Sequence, residues 1–291
     1  MSKKQLSPSG LSISGALREG AQRLAAAAVT EPRREAGSLL AHVLGRDRGF
    51  IIAHADDPLT AEQREALQML VDRRTAGEPL QYIIAHQEFF KLDFEVNANV
   101  LIPRPETELI VEISLELLRI DPEPYFADIG TGSGCIAISM LYELPEAHAV
   151  ATDVSRAALH VARRNAERHR VSDRLALLES DCFSNLDANE SFTLITSNPP
   201  YVSADELKSV QREVRFEPHA ALAAGSDGLS VIRRLVNEAR PFLRTGGYLV
   251  FEIGFGQSEA VEQLIDLDVW ELTGLRPDLQ GIARAVVLRK K

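Results

Sequence analysis

The chain has 291 residues, 45% of them hydrophobic and 25% charged, an ordinary globular composition with enough apolar material for a core and a length suited to two domains. The formal charge is −10, and residues 1–80 are near neutral with eleven Lys and Arg against ten Asp and Glu, so about −11 falls on residues 81–291. That sign repels a phosphate backbone, which argues against a direct nucleic-acid substrate.

Met1 to Gly15 lacks the apolar run of a secretory signal, and no stretch of about 18 apolar residues offers a membrane span. Cys135 and Cys182 form neither a disulfide framework nor a metal-ligand pair, so no metal is expected and a reducing cytoplasm fits best. Residues 14–29 then form an Ala-rich amphipathic stretch. Thr30 followed by Pro32 predicts a helix start, Leu39, Leu40, Val43 and Leu44 share one stripe, and Gly45 stands where a helix ends. Thr60 with Gln63 is a capping-box pattern ahead of Leu67, Leu70 and Val71. These stripes predict the core of an N-terminal helical domain over 1–85.

Around Phe89-Phe90, Leu92, Phe94 and Val96 the period changes to two, which predicts a β-hairpin linker over 86–100. Over 101–291 strand and helix patterns alternate. Strands are expected at 125–129, 148–153, 175–179, 192–197, 247–253, 268–274 and 283–288, and helices most clearly at 107–119, 134–143, 156–169, 228–243 and 257–266. Such alternation predicts a doubly wound α/β sheet.

Two loops carry chemistry. The apolar run Tyr125 to Ile129 breaks into Gly130-Thr131-Gly132-Ser133-Gly134 and resumes as a helix. Glycines let the backbone turn sharply and approach a ligand, and the helix N-terminus offers unpaired N–H groups. Asp153, at the end of the next strand, is placed to accept hydrogen bonds from both hydroxyls of a ribose. An adenosine-containing cofactor follows; Gly132-x-Gly134-x-x-Ala137 also satisfies a dinucleotide fingerprint, so a nicotinamide enzyme stays open at this point. The second loop, Asn198-Pro199-Pro200-Tyr201, ends the strand 192–197. An amide or aromatic amine must have its delocalised lone pair turned toward an electrophile before it accepts a methyl group. The Asn198 side-chain oxygen and the Pro199 carbonyl can hold an NH2 group, and Tyr201 can wall its plane. Catalysis is then chiefly positioning and electrostatics.

With these residues the chain resembles the bacterial peptide chain release factor N5-glutamine methyltransferase family, within the class I S-adenosylmethionine-dependent methyltransferases. The resemblance also covers Gly77 to Ile83, Val100-Leu101-Ile102-Pro103-Arg104-Pro105-Glu106-Thr107-Glu108, Glu217 to Leu222, Gly228-Leu229 and Phe251-Glu252-Ile253-Gly254. It implies a seven-stranded Rossmann-like methyltransferase sheet with an antiparallel last strand pair, S-adenosylmethionine as donor with S-adenosylhomocysteine as product, and the glutamine of the Gly-Gly-Gln motif of class I release factors as acceptor. By the family's pattern Gly130, Thr131, Gly132, Ser133 and Gly134 hold the methionine end, Asp153 takes the ribose, and Asp181 with Cys182 flanks the adenine. Asn198, Pro199, Pro200 and Tyr201 receive the glutamine. Cys182 stands where the family often has a large residue such as Trp, and Lys91 where it commonly has Gly.

For His219 a structural role is preferred to that of a base, Arg104 suits either a ligand carboxylate or a salt bridge, and Glu252 either closes the site or caps a helix. Competing readings are a ribosomal protein glutamine methyltransferase, an N6-adenine methyltransferase of DNA or RNA, a dehydrogenase and a scaffold without cofactor. The adenine reading needs base flipping and a positive groove that the sequence does not supply.

Overall fold

A computed structural model describes residues 11–291; the first ten residues of the expected helical domain lie outside the described residues. The chain divides into two compact units, residues 11–85 with Arg212–Phe216, and His86–Gln211 with Glu217–Lys291.

The first unit is helical: α1 (Ile13–Ala26), α2 (Pro32–Leu44), α3 (Arg48–Ala53), α4 (Ala61–Thr75) and α5 (Leu80–Ile84). Local chemistry sets several ends. Pro32 opens α2, and Gly45 closes it in the left-handed conformation at φ +60°. At α4 both arms of the capping box form, Gln63 N–H to Thr60 Oγ1 at 3.2 Å and Thr60 N–H to Gln63 Oε1 at 3.0 Å. Leu24, Leu39, Leu40, Leu67 and Val71 make the core of this unit. Buried Arg74 bonds the carboxylates of Glu35 and, at 2.9 Å, Glu213, so its charge stays paired away from water. The short helices α3 and α5 escape a periodicity reading, because five or six residues complete too few turns to show a stripe.

The second unit opens with a hairpin, β1 (His86–Phe89) and β2 (Leu92–Glu95). Its two turn residues, Phe90 and Lys91, both have positive φ (+49° and +62°), as a tight hairpin turn requires. The turn is pinned by Glu108, whose Oε1 accepts the Phe90 N–H at 2.8 Å. The hairpin is shorter than the stretch expected from 86 to 100, and Phe89 and Phe94 sink into the core of this unit.

After a single turn at Pro105–Thr107 come α6 (Glu108–Leu118), β3 (Tyr125–Ile129), α7 (Cys135–Glu143), β4 (His148–Asp153), α8 (Arg156–Arg168), β5 (Leu175–Glu179), β6 (Phe192–Ser197), α9 (Ser230–Glu238), β7 (Leu243–Glu252), α10 (Ser258–Glu262), β8 (Trp270–Pro277) and β9 (Ala283–Lys290). Seven strands form one sheet in the order β5-β4-β3-β6-β7-β9-β8. All pairs from β5 to β7 are parallel, and β9 runs antiparallel to both its neighbours. Alternation along the strands splits the core between the two faces. Phe126, Leu194 and Val250 point to the face covered by α6 and α7, while Ala127, Ile195, Leu249 and Phe251 point to the one covered by α9 and α10. The chain runs outward from β3 to β5 and returns to β6, so the crevice at the carboxyl ends of β3, β4 and β6 is the topological switch point.

Several boundaries differ from the sequence expectation, β8 and β9 running three and two residues beyond the expected 274 and 288. The helix expected over 228–243 runs only from Ser230 to Glu238, because Pro241 has no N–H to continue the α ladder and the chain tightens into a single 3-10 turn at Arg240–Phe242. β7 starts early, at Leu243, with an irregular register opposite Phe192 and Leu194 where Gly246 takes φ +75°. The helix expected over 257–266 shrinks to Ser258–Glu262, since Asp266 bonds the Asp268 N–H at 2.9 Å and turns the chain. Among the described residues no helix is long and apolar enough to cross a membrane.

Gly134 illustrates packing that only glycine permits. It lies at φ +82°, and an added Cβ would stand 2.7 Å from Ile138 Cδ1 and 3.2 Å from Ala162 Cβ. Gly134→Ala is expected to cost about 1–3 kcal/mol through backbone strain alone. At roughly 2–4 °C per kcal/mol for a unit of this size, a thermal melt should show the loss, and an unchanged melt would refute the packing role.

Candidate active site

Backbone bonds and two carboxylates shape the Gly-rich loop. The Gly130 and Thr131 N–H groups both donate to the Thr152 carbonyl, at 2.9 and 2.8 Å. Asp128, fully buried in β3, accepts the Thr131 hydroxyl at 2.6 Å and the Thr196 hydroxyl at 3.2 Å, joining the loop to β6. Burial pushes the Asp128 carboxyl up to about 6, against the opposing pull of those hydroxyls. Asp153 spans two loops: Oδ2 accepts the Gly132 N–H and Oδ1 the Ser155 N–H, each at 2.8 Å. Its pKa is raised by burial, and the two N–H donors act the other way. Each of its oxygens keeps a second lone pair for an incoming hydroxyl.

A cleft opens over this loop. Its walls come from the ends of β3, β4, β5 and β6, from residues 99–103 and from Pro218, Ala220 and Ala221. Gly130, Thr131, Gly132, Ser133, Asp153, Asp181, Cys182, Asn198, Pro199 and Pro200 all line it. Gly130 and Gly132 have positive φ (+76° and +56°), and nothing stands within 4 Å of where a Cβ would be, so the backbone there is open to close approach. Ser133 Oγ is buried without a hydrogen-bond partner. An orphaned hydroxyl beside exposed loop backbone fits a polar ligand end better than a tight turn alone. Asn165, which the sequence reading missed, fixes the loop from behind, donating to the Ser133 carbonyl at 2.9 Å and the Glu95 carbonyl at 3.0 Å.

Two sequence-predicted residues do not reach the cleft wall. Gly134 sits behind it, packed on α8. Tyr201 is half-buried against the apolar core, and its hydroxyl donates to Glu252 Oε1 at 3.2 Å. Asp181 lines the cleft, but its carboxylate pairs with Arg234 at 2.6 Å. Cys182 adopts φ +50°, and its carbonyl accepts the Ser180 hydroxyl at 2.9 Å. Arg104 pairs with buried Glu217, which also accepts the Ile102 N–H at 3.3 Å; this draws the 99–103 lip to the 217–221 segment. His219 is exposed and off the wall.

The acceptor loop is held by side chains of other elements, one of which, Thr107, also lines the cleft. Asn198 Nδ2 donates to Thr107 Oγ1 at 2.9 Å, and the Thr107 hydroxyl donates to Glu252 Oε2 at 2.6 Å. A hydroxyl has one hydrogen, so Thr107 can only accept from Asn198, and the Asn198 amide must turn its nitrogen there. No described donor reaches Asn198 Oδ1 or the Pro199 carbonyl. Gln257 ties down the far end, donating to the Tyr201 carbonyl at 3.0 Å and the Gly228 carbonyl at 3.3 Å. Thr107 lay within a recognised motif without a role; Gln257 carried no signal in the sequence.

Burial raises the Cys182 thiol to about 11 and the Cys135 thiol to about 12. At pH 7.5 the thiolate fraction at either is on the order of 10⁻³ or less, and thiolate is the reactive form. Native protein should therefore react slowly with a disulfide reagent and release both thiols at once on unfolding. A fast native reaction would refute the burial argument.

Comparison with known proteins matches residues 15–84 to the family described as PrmC N-terminal domain and residues 111–221 to that described as Methyltransferase small domain. The release factor glutamine methyltransferase of Nitratidesulfovibrio vulgaris is 41% identical over 287 residues, covering 98% of this chain and 97% of its own. That of Geobacter sulfurreducens is 46% identical over 270 residues, covering 90% and 91%. Among solved structures, the hMettl16 catalytic domain in complex with MAT2A 3'UTR hairpin 1 aligns with a TM-score of 0.57 over 86% of this chain and 90% of that one. At 14% identity it shares the fold alone.

Proposed function

The chain belongs to the release factor glutamine methyltransferase family, and from that premise we propose that it methylates the side-chain amide nitrogen of the glutamine in the Gly-Gly-Gln motif of class I peptide chain release factors, in the cytoplasm. The donor supplies an electrophilic methyl group on a sulfonium centre, S-adenosylmethionine becoming S-adenosylhomocysteine. The observation that carries the reading is Asn198 on the cleft wall with its amide nitrogen engaged by Thr107, which leaves Oδ1 without a described donor.

Each residue has a distinct task. Asp153 takes the ribose hydroxyls on its spare lone pairs, and Gly130, Gly132 and Ser133 receive the methionine end. Thr131 holds the loop through Asp128. Asp181 and Cys182 border the adenine. Asn198 Oδ1 and the Pro199 carbonyl accept the two N–H bonds of the substrate amide and so turn the nitrogen lone pair toward the methyl group. As the N–C bond forms, positive charge builds on nitrogen, and these two acceptors stabilise it until one proton leaves to solvent. Gly134 and Tyr201 support the walls from behind, consistent with their packing.

The test incubates the protein with methyl-labelled S-adenosylmethionine and, in parallel, a purified class I release factor, the same factor with its Gly-Gly-Gln glutamine replaced by alanine, ribosomal proteins, and duplex DNA. Label in the intact release factor and not in its variant is expected. Label confined to ribosomal protein or DNA would overturn the proposal.

A further inference from the structure

Glu252, at the end of β7, is buried at 2% exposure, and both of its oxygens are engaged by groups that bracket the acceptor loop. Oε2 takes the Thr107 hydroxyl, which in turn takes the Asn198 amide nitrogen, and Oε1 takes the Tyr201 hydroxyl. One carboxylate therefore fixes the first and the last side chain of Asn198-Pro199-Pro200-Tyr201. A free asparagine amide can present either its oxygen or its nitrogen by a half-turn, and only the oxygen can hold an NH2 group.

We propose that Glu252 and Thr107 are positioning residues that lock the Asn198 amide with its oxygen toward the cleft and thereby set the preference for an amide nitrogen donor. This rests on the acceptor reading given under Proposed function. While Glu252 is ionised it can only accept, so the hydrogen bonds run one way, from Asn198 to Thr107 to Glu252. A protonated Glu252 can donate to Thr107, which frees the Thr107 hydrogen to face Asn198 and lets the amide reverse.

Burial raises the Glu252 carboxyl to about 6, against the Thr107 and Tyr201 hydroxyls and Arg284 on β9, which lower it; Glu106, ahead of α6, raises it further, and Arg104 acts on the adjoining Tyr201. The raised value gives the sign: the lock holds above about pH 6 and is lost as pH falls through it. Removing the Thr107 hydroxyl cuts the link by which Glu252 protonation reaches Asn198, so the rate lost relative to wild type should be largest above about pH 6 and shrink as pH falls through it. Asp128 titrates in the same range, also near 6, so the wild-type limb alone does not identify Glu252; a gap between wild type and a Thr107 variant that narrows as pH falls through about 6 does.

The experiment measures kcat and KM for the release factor across pH 5–9, with S-adenosylmethionine affinity and thermal melts as controls, for wild type, Thr107→Val, Thr107→Ser and Asn198→Ala. Thr107→Val should lose about 10²-fold in kcat above pH 6 through misplacement of Asn198, with cofactor affinity kept and the gap to wild type narrowing as pH falls through about 6. Thr107→Ser keeps the hydroxyl and should restore most of the rate and the original limb. Should Thr107→Val melt early, the serine variant and Glu252→Gln, which keeps the shape but abolishes the titration, carry the test. A Thr107→Val enzyme with wild-type kcat and limb, or a serine variant as slow as the valine one, overturns the lock. If Asn198→Ala is dead while Thr107→Val behaves as wild type, the lock alone falls; if Asn198→Ala turns over normally, the acceptor reading falls with it.

Discussion

Asn198→Ala is expected to lower kcat by about 10²–10³-fold, the scale seen when one preorganised group facing developing charge is removed. Alanine deletes the oxygen that accepts a substrate N–H and leaves Thr107 without its donor, while the Gly-rich loop and Asp153, which lie on other strands, are untouched. Affinity for S-adenosylmethionine by calorimetry should therefore stay close to wild type. Asn198→Asp is a sharper comparison. It keeps the size but replaces the nitrogen facing Thr107 with a second acceptor, so it should be about as inactive as alanine. Normal turnover in the alanine variant would remove the amide-holding role, and normal turnover in the aspartate variant alone would remove the need for a donor to Thr107.

Asp153→Ala should act at the other end of the cleft, on cofactor affinity. Hydrogen bonds to a charged acceptor contribute about 1.5–3 kcal/mol each, so losing one ribose contact weakens binding by roughly tenfold or more, and losing two by roughly a hundredfold. The structure adds a second consequence. The Gly132 and Ser155 N–H groups lose their acceptor, so the ligand-free protein should melt earlier as well. Measuring both quantities separates the two roles, and an unchanged dissociation constant beside a lowered melting temperature would mean that Asp153 serves the loop alone.

Legibility in the sequence followed the range of the forces involved. The parallel strands β3 to β6 match their expected boundaries; for β3, β4 and β6 the reason is that a strand buried on both faces writes a continuous apolar run, whereas β5 stands half-exposed at the sheet edge. The two loops were visible because glycine and proline act locally on the backbone. Thr107, Asn165, Glu252 and Gln257 were not assigned, since each acts on a partner far away in the chain: Thr107 meets Asn198 across 91 positions and Asn165 meets Glu95 across 70. Tyr201 stands off the cleft lining for the same reason, as its hydroxyl is drawn to Glu252.

What the sequence determined by itself is therefore the doubly wound order of elements, the glycine turn and the acceptor tetrapeptide, all encoded by neighbours a few residues apart. What only the tertiary structure decided is which way the Asn198 amide points. That choice depends on a single hydroxyl hydrogen from the turn ahead of α6 and a buried carboxylate at the end of β7, which the β6–β7 pairing sets beside Asn198, and no local pattern specifies it.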